Sequence, residues 1–151
     1  MIIEINSIGT IRNTIESKKD KGWGSDISQI IVDKKYEKGL VGLSDFSHII
    51  VVYYLDKANF DMDKHLVRRP QNREDMPMVG ILSQRAKDRP NPIGITSVEL
   101  VNVEGNIISV KGLDAIDNTP LIDIKPYYPM YDCKEGAIVP EWVNRLMESY
   151  F

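Results

Sequence analysis

Seven short runs rich in valine and isoleucine, bounded mainly by Gly, Pro, Asn or Asp, most constrain how this 151-residue chain can fold. Short β-branched segments between turn residues are typical of β-strands. Because many strands in one small domain must close on one another to bury their apolar faces, they predict a mainly β fold, either a barrel or a sandwich. The predicted strands are residues 2–8, 27–32, 48–55, 79–83, 96–103, 107–111 and 121–125.

Two further patterns complete the predicted architecture. Gly105 and Asn106 separate two strand runs, and both residue types tolerate the left-handed geometry that a tight hairpin turn needs. After Pro140 and Glu141, which suit a helix start, one amphipathic C-terminal helix is expected. Its apolar residues at helical spacing are Trp142, Val143, Leu146 and Met147. The length fits one domain over residues 1–151, with no additional C-terminal domain.

Composition excludes several classes of protein. The 19 basic and 22 acidic residues argue against nonspecific coating of nucleic acid, although a local basic face stays possible. Cys133 is the single cysteine, so we expect no disulfide and a cytoplasmic location. No Cys/His spacing resembles a metal site, so no metal is expected. The longest apolar run, residues 49–55, is too short to span a membrane, and no signal peptide is recognisable.

The familiar catalytic motifs are absent. The sequence contains no Gly-x-Gly-x-x-Gly, no Gly-Lys-Ser/Thr phosphate loop, no Gly-x-Ser-x-Gly and no His-Glu-x-x-His. Dinucleotide-binding, nucleotide-hydrolysing, esterase and zinc-protease functions therefore lack support. What remains is a ligand-binding barrel, or an enzyme that relies on positioning and electrostatics.

Two stiff segments carry the clearest functional pattern, one over residues 85–94 and one over residues 112–127. In the first, Pro90 and Pro92 fix their own φ angles and restrict the residues before them. Such a loop either shapes a pocket wall or simply connects strands, and the sequence leaves both interpretations open.

Four motifs in order resemble the TsaA-like (TrmO) family of S-adenosylmethionine-dependent tRNA N6-methyltransferases. They are Ile-Gly-Thr-Ile at 8–11, Gly-Leu-Ser-Asp-Phe-Ser-His-Ile at 42–49, Arg-Pro-Asn-Pro-Ile-Gly at 89–94 and Asp-Asn-Thr-Pro-Leu-Ile-Asp-Ile-Lys-Pro-Tyr at 117–127. The resemblance implies a small β-barrel that works as a homodimer, with S-adenosylmethionine bound near the subunit interface. It also implies methyl transfer to N6 of threonylcarbamoyladenosine beside the anticodon of threonine tRNA.

The same resemblance implies a set of cofactor contacts. They are Arg85, Ile95, Ala115, Ile116, Asp117 and Asn118, together with Thr14, Ile15, Asp56 and Lys57. Arg85 suits a carboxylate, which a guanidinium can bind through two parallel hydrogen bonds. Asp117 could accept from a cofactor hydroxyl or amine, or it could bond local backbone within an Asp-Asn-Thr-Pro turn.

Candidates for the chemistry of transfer lie in the last strand. Asp123 and Lys125 are two residues apart, so we expect them to share one covered face with Leu121 and to form either an ion pair or a substrate contact. With Tyr127 they are the catalytic candidates, and no residue can be named as the acceptor of the N6 proton.

Contacts to RNA are expected from basic and aromatic residues. The basic candidates are Arg68, Arg69, Arg73, Lys87 and Arg89. Tyr127, Tyr128 and Tyr131 could stack on a base or cover the barrel end. Three alternatives stay open: an S-adenosylmethionine-binding module without catalysis, a methyltransferase acting on another RNA or a small molecule, and a barrel whose loops serve only dimerisation.

Overall fold

A computed structural model describes all residues from Met1 to Phe151 and contains eight β-strands and three short α-helices. The strands are β1 (Gly9–Arg12), β2 (Ile27–Val32), β3 (His48–Tyr54), β4 (Val67–Arg68), β5 (Val79–Gly80), β6 (Ile93–Glu104), β7 (Ile107–Lys111) and β8 (Pro120–Pro126). The α-helices are α1 (Met62–His65), α2 (Pro129–Asp132) and α3 (Glu141–Met147).

Six strands form a closed barrel in the order β1-β2-β7-β6-β3-β8, with β8 pairing back to β1. Every neighbouring pair is antiparallel. Closure removes the exposed strand edges that an open sheet would leave. The predicted β-barrel with a C-terminal helix is therefore confirmed.

The core follows from alternation along the strands. In β2 the residues are alternately exposed and buried, so that Ser28, Ile30 and Val32 face inward. Ile11, Ile49, Val51, Ile108 and Leu121, among others, complete an apolar interior whose members are almost entirely shielded from solvent. Burying each such side chain contributes roughly 1.5 to 3 kcal/mol, which makes the barrel interior the main source of stability.

The first strand differs from its prediction. β1 begins at Gly9, whereas Ile2, Ile3 and Ile5 are exposed and form no strand. At Gly9 the chain meets β2 so closely that an added Cβ would lie 2.3 Å from the Ile31 carbonyl oxygen. Of the predicted run, Ile8 still bonds Leu121 and Asp33 through its backbone, whereas Ile2, Ile3 and Ile5 form no backbone hydrogen bond.

A second difference concerns the long connection between β3 and β6. Residues 79–83, predicted as one strand, form β5 followed by a 3-10 helix at Ile81–Ser83. β5 pairs only with β4, in a separate two-stranded sheet outside the barrel. Strand pairing between β4 and β5 joins residues more than ten positions apart, and the local residue pattern of this segment does not predict such pairing.

The β6–β7 turn follows its prediction, whereas a bulge in β8 changes which side chains face the core. The β6–β7 hairpin turns at Gly105, whose φ is 59°, as its sequence predicts. In β8, Asp123 pairs with Val52 but Leu121 pairs with Tyr53, so Ile122 bulges out of the ladder. A bulge shifts the alternation by one residue. Leu121 therefore points into the core while Lys125 is exposed.

One end of the barrel collects the connections over residues 13–26, 55–92 and 112–119, and we call it the loop end. The opposite end carries the β2–β3 connection, the β6–β7 turn and the start of α2. None of the helices has the length and hydrophobicity that crossing a membrane requires.

Candidate functional site

A group of hydrogen-bonded side chains, which we call the hydroxyl cluster, lies at the loop end and consists of Tyr53, Thr96, Asp114 and Tyr150. The Tyr53 hydroxyl donates to Oδ1 of Asp114 at 2.9 Å and lies 3.1 Å from the Thr96 hydroxyl. Thr96 donates to the same carboxylate oxygen, and Tyr150 donates to Oδ2 at 2.6 Å. One partly buried carboxylate thus joins β3, β6, the β7–β8 loop and the segment after α3.

The two tyrosines of the cluster are held in their neutral form. Burial raises the pKa of Tyr53 well above its ordinary value, and the negative charge of Asp114 raises it further. The same two causes, in the same order, raise the pKa of Tyr150. The positive charge of Arg85 acts in the opposite direction on both pKa values and is the weakest of the causes. At neutral pH both phenols are therefore donors to Asp114.

Arg85 lies next to this cluster with most of its donors free. Its Nη2 donates to the carbonyl oxygen of Ile95 at 2.5 Å, and the guanidinium makes no other hydrogen bond within the chain. Arg85 is exposed, and an arginine has five N–H donors. The predicted pair of Arg85 and Ile95 is thus in direct contact, with donors left for an anionic ligand.

The hydroxyl cluster also brings the two predicted cofactor segments together. Thr96 follows Ile95 in β6, and Ala115 follows Asp114 in the β7–β8 loop. Because Thr96 and Asp114 share a hydrogen bond, the predicted contacts next to them, Ile95 and Ala115, belong to segments that meet at one place.

The turn over residues 115–118 is bonded to the segment after β1. The Asp117 N–H donates to the Ile15 carbonyl at 2.7 Å, and the Asn13 side-chain amide donates to the Ala115 carbonyl at 2.8 Å. Asn118 has a φ of 66°, the left-handed geometry that asparagine tolerates. Predicted contacts Thr14 and Ile15 therefore lie beside Ala115, Ile116, Asp117 and Asn118.

The carboxylate of Asp117 is already engaged. Its Oδ1 accepts from the Asn13 N–H and from Nε of Arg12, both at 3.0 Å, and its Oδ2 accepts from Asn118. The Asn13 backbone donor is the main cause that lowers the pKa of Asp117. Two of these donors, on Arg12 and Asn13, are distant in sequence, and the third is the Asn118 side chain, so the carboxylate does not bond the backbone of its own turn. A role toward the cofactor stays a prediction.

Asp56 and Lys57 are less closely connected to the site. They follow β3, where the Leu55 N–H donates to the Pro92 carbonyl at 2.8 Å, so they lie beside the proline-rich loop. Both side chains are exposed and form no hydrogen bond or ion pair. The structure places them at the loop end without bringing them to the hydroxyl cluster.

The catalytic candidates of β8 lie on the outer wall. Asp123 and Lys125 form an ion pair at 2.7 Å, and the hydrogen bond that Lys125 donates to Asp123 raises the pKa of Lys125. The expectation of a covered face shared with Leu121 is wrong, because the bulge at Ile122 reverses the alternation. No contact joins this pair to Arg85.

Tyr127, the third catalytic candidate, lies near the opposite end of the barrel. Its ring centroid is 6.3 Å from that of His48, and Tyr128 packs 6.0 Å from Phe46. These residues line a surface groove of about 700 Å³ with Ser97 and Met130, among others. Tyr131 is exposed on α2.

The basic RNA candidates brace the β3–β6 connection. Arg68 and Lys87 both pair with Asp88, at 3.7 Å and 2.7 Å. Arg73 pairs with Asp75 at 2.6 Å. Arg69 donates to the Met76 carbonyl, and Arg89 donates to the Gln84 carbonyl at 3.2 Å.

Sequence reasoning missed the hydroxyl cluster. Tyr53 and Thr96 stand in strands, where the pattern predicts core residues, and Tyr150 stands beyond the helical pattern of the tail. Gly94 was the available signal, because a Cβ there would lie 2.2 Å from the Tyr53 ring. A glycine within a strand marks such a close approach.

Comparison with known proteins identifies the family. Residues 18–133 match the tRNA-methyltransferase O N-terminal domain. A Pyrococcus abyssi protein named as a probable S-adenosyl-L-methionine-binding protein is 37% identical over 96% of this chain and 78% of its own length. A human protein named tRNA (adenine(37)-N6)-methyltransferase is 38% identical over 69% of this chain and 23% of its own length.

A solved structure agrees with the fold. The crystal structure of TrmO from P. aeruginosa superposes with a TM-score of 0.76 at 24% identity, covering 94% of this chain. The chain spans 62% of the length of that protein. The motif-based prediction is confirmed: the chain belongs to the tRNA-methyltransferase O N-terminal domain family, a family of S-adenosylmethionine-dependent methyltransferases.

Proposed function

We propose that this protein is an S-adenosylmethionine-dependent methyltransferase that modifies N6 of threonylcarbamoyladenosine beside the anticodon of threonine tRNA. The observation that carries the proposal is the meeting of the Arg85–Ile95 contact and the Asp114–Asn118 turn at the loop end, through Tyr53 and Thr96. Family membership supports the reaction class, and the human relative's printed name supports a tRNA adenine as acceptor.

The residues present fit this cofactor. Arg85 offers free guanidinium donors to a carboxylate. In the turn over residues 115–118, the N–H groups of Ala115 and Ile116 form no hydrogen bond within the chain and are available to a ligand. When bound, S-adenosylmethionine supplies the methyl group and leaves as the neutral thioether. The residues of the site hold the reacting atoms in line, and alignment of this kind accounts for much of the acceleration in displacement reactions.

Transfer to N6 also releases a proton from that nitrogen. A carboxylate, a tyrosine or water within hydrogen-bonding reach can take it. Asp123, Lys125 and Tyr127 stay candidates for orienting the acceptor, and Arg68, Arg69, Arg73, Lys87 and Arg89 stay candidates for phosphate contacts. We propose a cytoplasmic homodimer as the working form.

A second candidate function is S-adenosylmethionine binding without methyl transfer to this tRNA, or transfer to another RNA or a small molecule. The P. abyssi relative, matched over most of both chains, is named only for binding. The basic residues of the β3–β6 connection are also engaged in contacts within that connection, which leaves fewer free cations for phosphates.

The cofactor is tested by titration calorimetry with S-adenosylmethionine. We expect binding by the wild type and a Kd higher on the order of 100-fold for Arg85→Ala, because an ionic contact of this kind is worth about 2 to 5 kcal/mol. Lys38→Ala, at the opposite end, is the control and should bind like the wild type. Absence of binding by the wild type would contradict both functions, and unchanged binding by Arg85→Ala would show that the carboxylate lies elsewhere.

The acceptor is tested with labelled cofactor and three substrates: tRNA from a strain lacking this protein, the same tRNA without the threonylcarbamoyl group, and a small-molecule extract. Methyl incorporation only into the first supports the proposed reaction. Incorporation into either of the others supports a different acceptor, and cofactor binding with no incorporation supports the binding function.

A further inference from the structure

Asp114 carries a negative charge that no side chain of this chain neutralises. It is partly buried, yet it forms no ion pair with any lysine, arginine or histidine. Its partners are the neutral hydroxyls of Tyr53, Thr96 and Tyr150. Because withdrawing a charge from water is costly without a counter-charge, the fold maintains an unbalanced carboxylate at the loop end.

The carboxylate also has room for one more donor. Its Oδ1 accepts from Tyr53 and Thr96, whereas its Oδ2 accepts only from Tyr150. An ionised carboxylate has about four acceptor positions in total. A position on Oδ2 therefore remains for a ligand, and the hydroxyls fix the orientation of the group without cancelling its charge.

The charge that stands near this carboxylate has the complementary sign. Arg85 donates to the carbonyl of Ile95, the residue next to Thr96, and keeps most of its donors free. Asp117, the other acid near the site, is bonded to Arg12 and Asn13. Around the hydroxyl cluster, the carboxylate of Asp114 and the guanidinium of Arg85 are thus both available, an arrangement that suits a zwitterion.

We propose that Asp114 binds the α-ammonium group of S-adenosylmethionine while Arg85 binds its α-carboxylate, and that Tyr150 is a positioning residue that orients Asp114 for this contact. The inference rests on the proposed function and deepens it, because it fixes which part of the cofactor lies at the hydroxyl cluster. It also assigns a role to the segment after α3, which the Gly22–Trp23 loop holds through backbone bonds at 2.9 Å from Gly22 N–H to Ser149 and from Trp23 N–H to Tyr150.

Three ligands distinguish this contact in calorimetry: S-adenosylmethionine, S-adenosylhomocysteine and 5′-methylthioadenosine, which lacks the amino-acid group. For Asp114→Asn we expect the Kd of the first two to rise about 30-fold, since a charged contact is lost, and that of the third to stay unchanged. Asp33→Asn, an exposed aspartate at the opposite end, is the matched control and should leave all three unchanged.

Tyr150→Phe is the second variant, and it carries the test if circular dichroism shows Asp114→Asn unfolded. It removes one hydroxyl and retains the carboxylate. We therefore expect the Kd of S-adenosylmethionine and S-adenosylhomocysteine to rise about fivefold and that of 5′-methylthioadenosine to stay unchanged. The inference would be overturned if the Kd rose equally for all three ligands, if it rose for S-adenosylmethionine alone, or if it changed in neither variant. Binding by the wild type in those cases would leave the proposed function standing, whereas a wild type that binds none of the three would contradict the proposed function itself.

Discussion

Asp114 and Asp123 stand on either side of the start of β8 and use their carboxylates in opposite ways. Asp114 is held by the hydroxyls of Tyr53, Thr96 and Tyr150 and has no cationic partner. Asp123, on the outer wall, is neutralised by Lys125 at 2.7 Å. Neutral donors orient a carboxylate and leave its charge available to a ligand, whereas a local ion pair satisfies itself. The comparison therefore separates the proposed cofactor-binding region at the loop end, which we call the binding region, from a solvated surface.

The largest expected effect comes from crowding the binding region. In Gly94→Ala the added Cβ would lie 2.2 Å from the Tyr53 ring, which would have to move away from Asp114. We expect the free energy of unfolding to fall by about 2 kcal/mol, as overpacking commonly costs, together with cofactor affinity. Gly39→Ala is the control, since a Cβ added at that position meets no other part of the chain within 4 Å. Equal urea midpoints for the two variants would show that Tyr53 does not depend on Gly94.

Removing one hydroxyl from the cluster should have a smaller effect. Tyr53→Phe deprives Asp114 of a donor in a buried setting, so we expect a loss of about 1.5 kcal/mol in urea unfolding. The neighbouring Tyr54 is exposed and its hydroxyl makes no hydrogen bond, so Tyr54→Phe is the matched control and should unfold like the wild type. If Tyr53→Phe and Tyr54→Phe lost the same free energy of unfolding, the Tyr53 hydroxyl would contribute nothing to stability beyond the packing of its ring.

The barrel was predictable where the pattern is local. The strands at 27–32 and 107–111, and the turn at Gly105, follow from alternation and turn residues that lie next to one another. The hydroxyl cluster was not, because it depends on which strands close the barrel. The bulge at Ile122 was also invisible, since only pairing with β3 creates it.

Of the cofactor site, the motifs predicted the two segments, and the structure added what joins them. Arg85 and Ile95 were named together and are in contact. Asp117 was named because it lies within a motif, yet its bonds to Arg12 and Asn13 involve residues distant in sequence. A carboxylate's partners decide whether it is available to a ligand, and those partners are visible only in the fold.

Alkaline pH should remove the stability that the two tyrosines of the binding region contribute. The pKa values of Tyr53 and Tyr150 are raised above the ordinary value, so the folded state keeps phenolic protons that the unfolded chain loses. Their contribution to stability is complete below a pH of about 10 and is lost as the pH rises above it. When the free energy of unfolding is measured across this pH range, it should fall less steeply with pH in Tyr150→Phe than in the wild type. A slope as steep as that of the wild type would mean that Tyr150 does not contribute.

The smallest effect is expected on the outer wall. Asp123→Asn removes an ion pair whose lysine is exposed and whose aspartate is half-buried, and such surface pairs contribute little, so the urea midpoint should match that of the wild type. The measurable change is in Lys125, whose raised pKa should fall toward its ordinary value, since the hydrogen bond that it donates to Asp123 is the main cause of the rise. NMR titration of the Lys125 side chain checks this. A large loss of stability would remove the contrast with Asp114, whereas a fall in kcat at unchanged stability and cofactor affinity would support Asp123 as a residue that orients the acceptor.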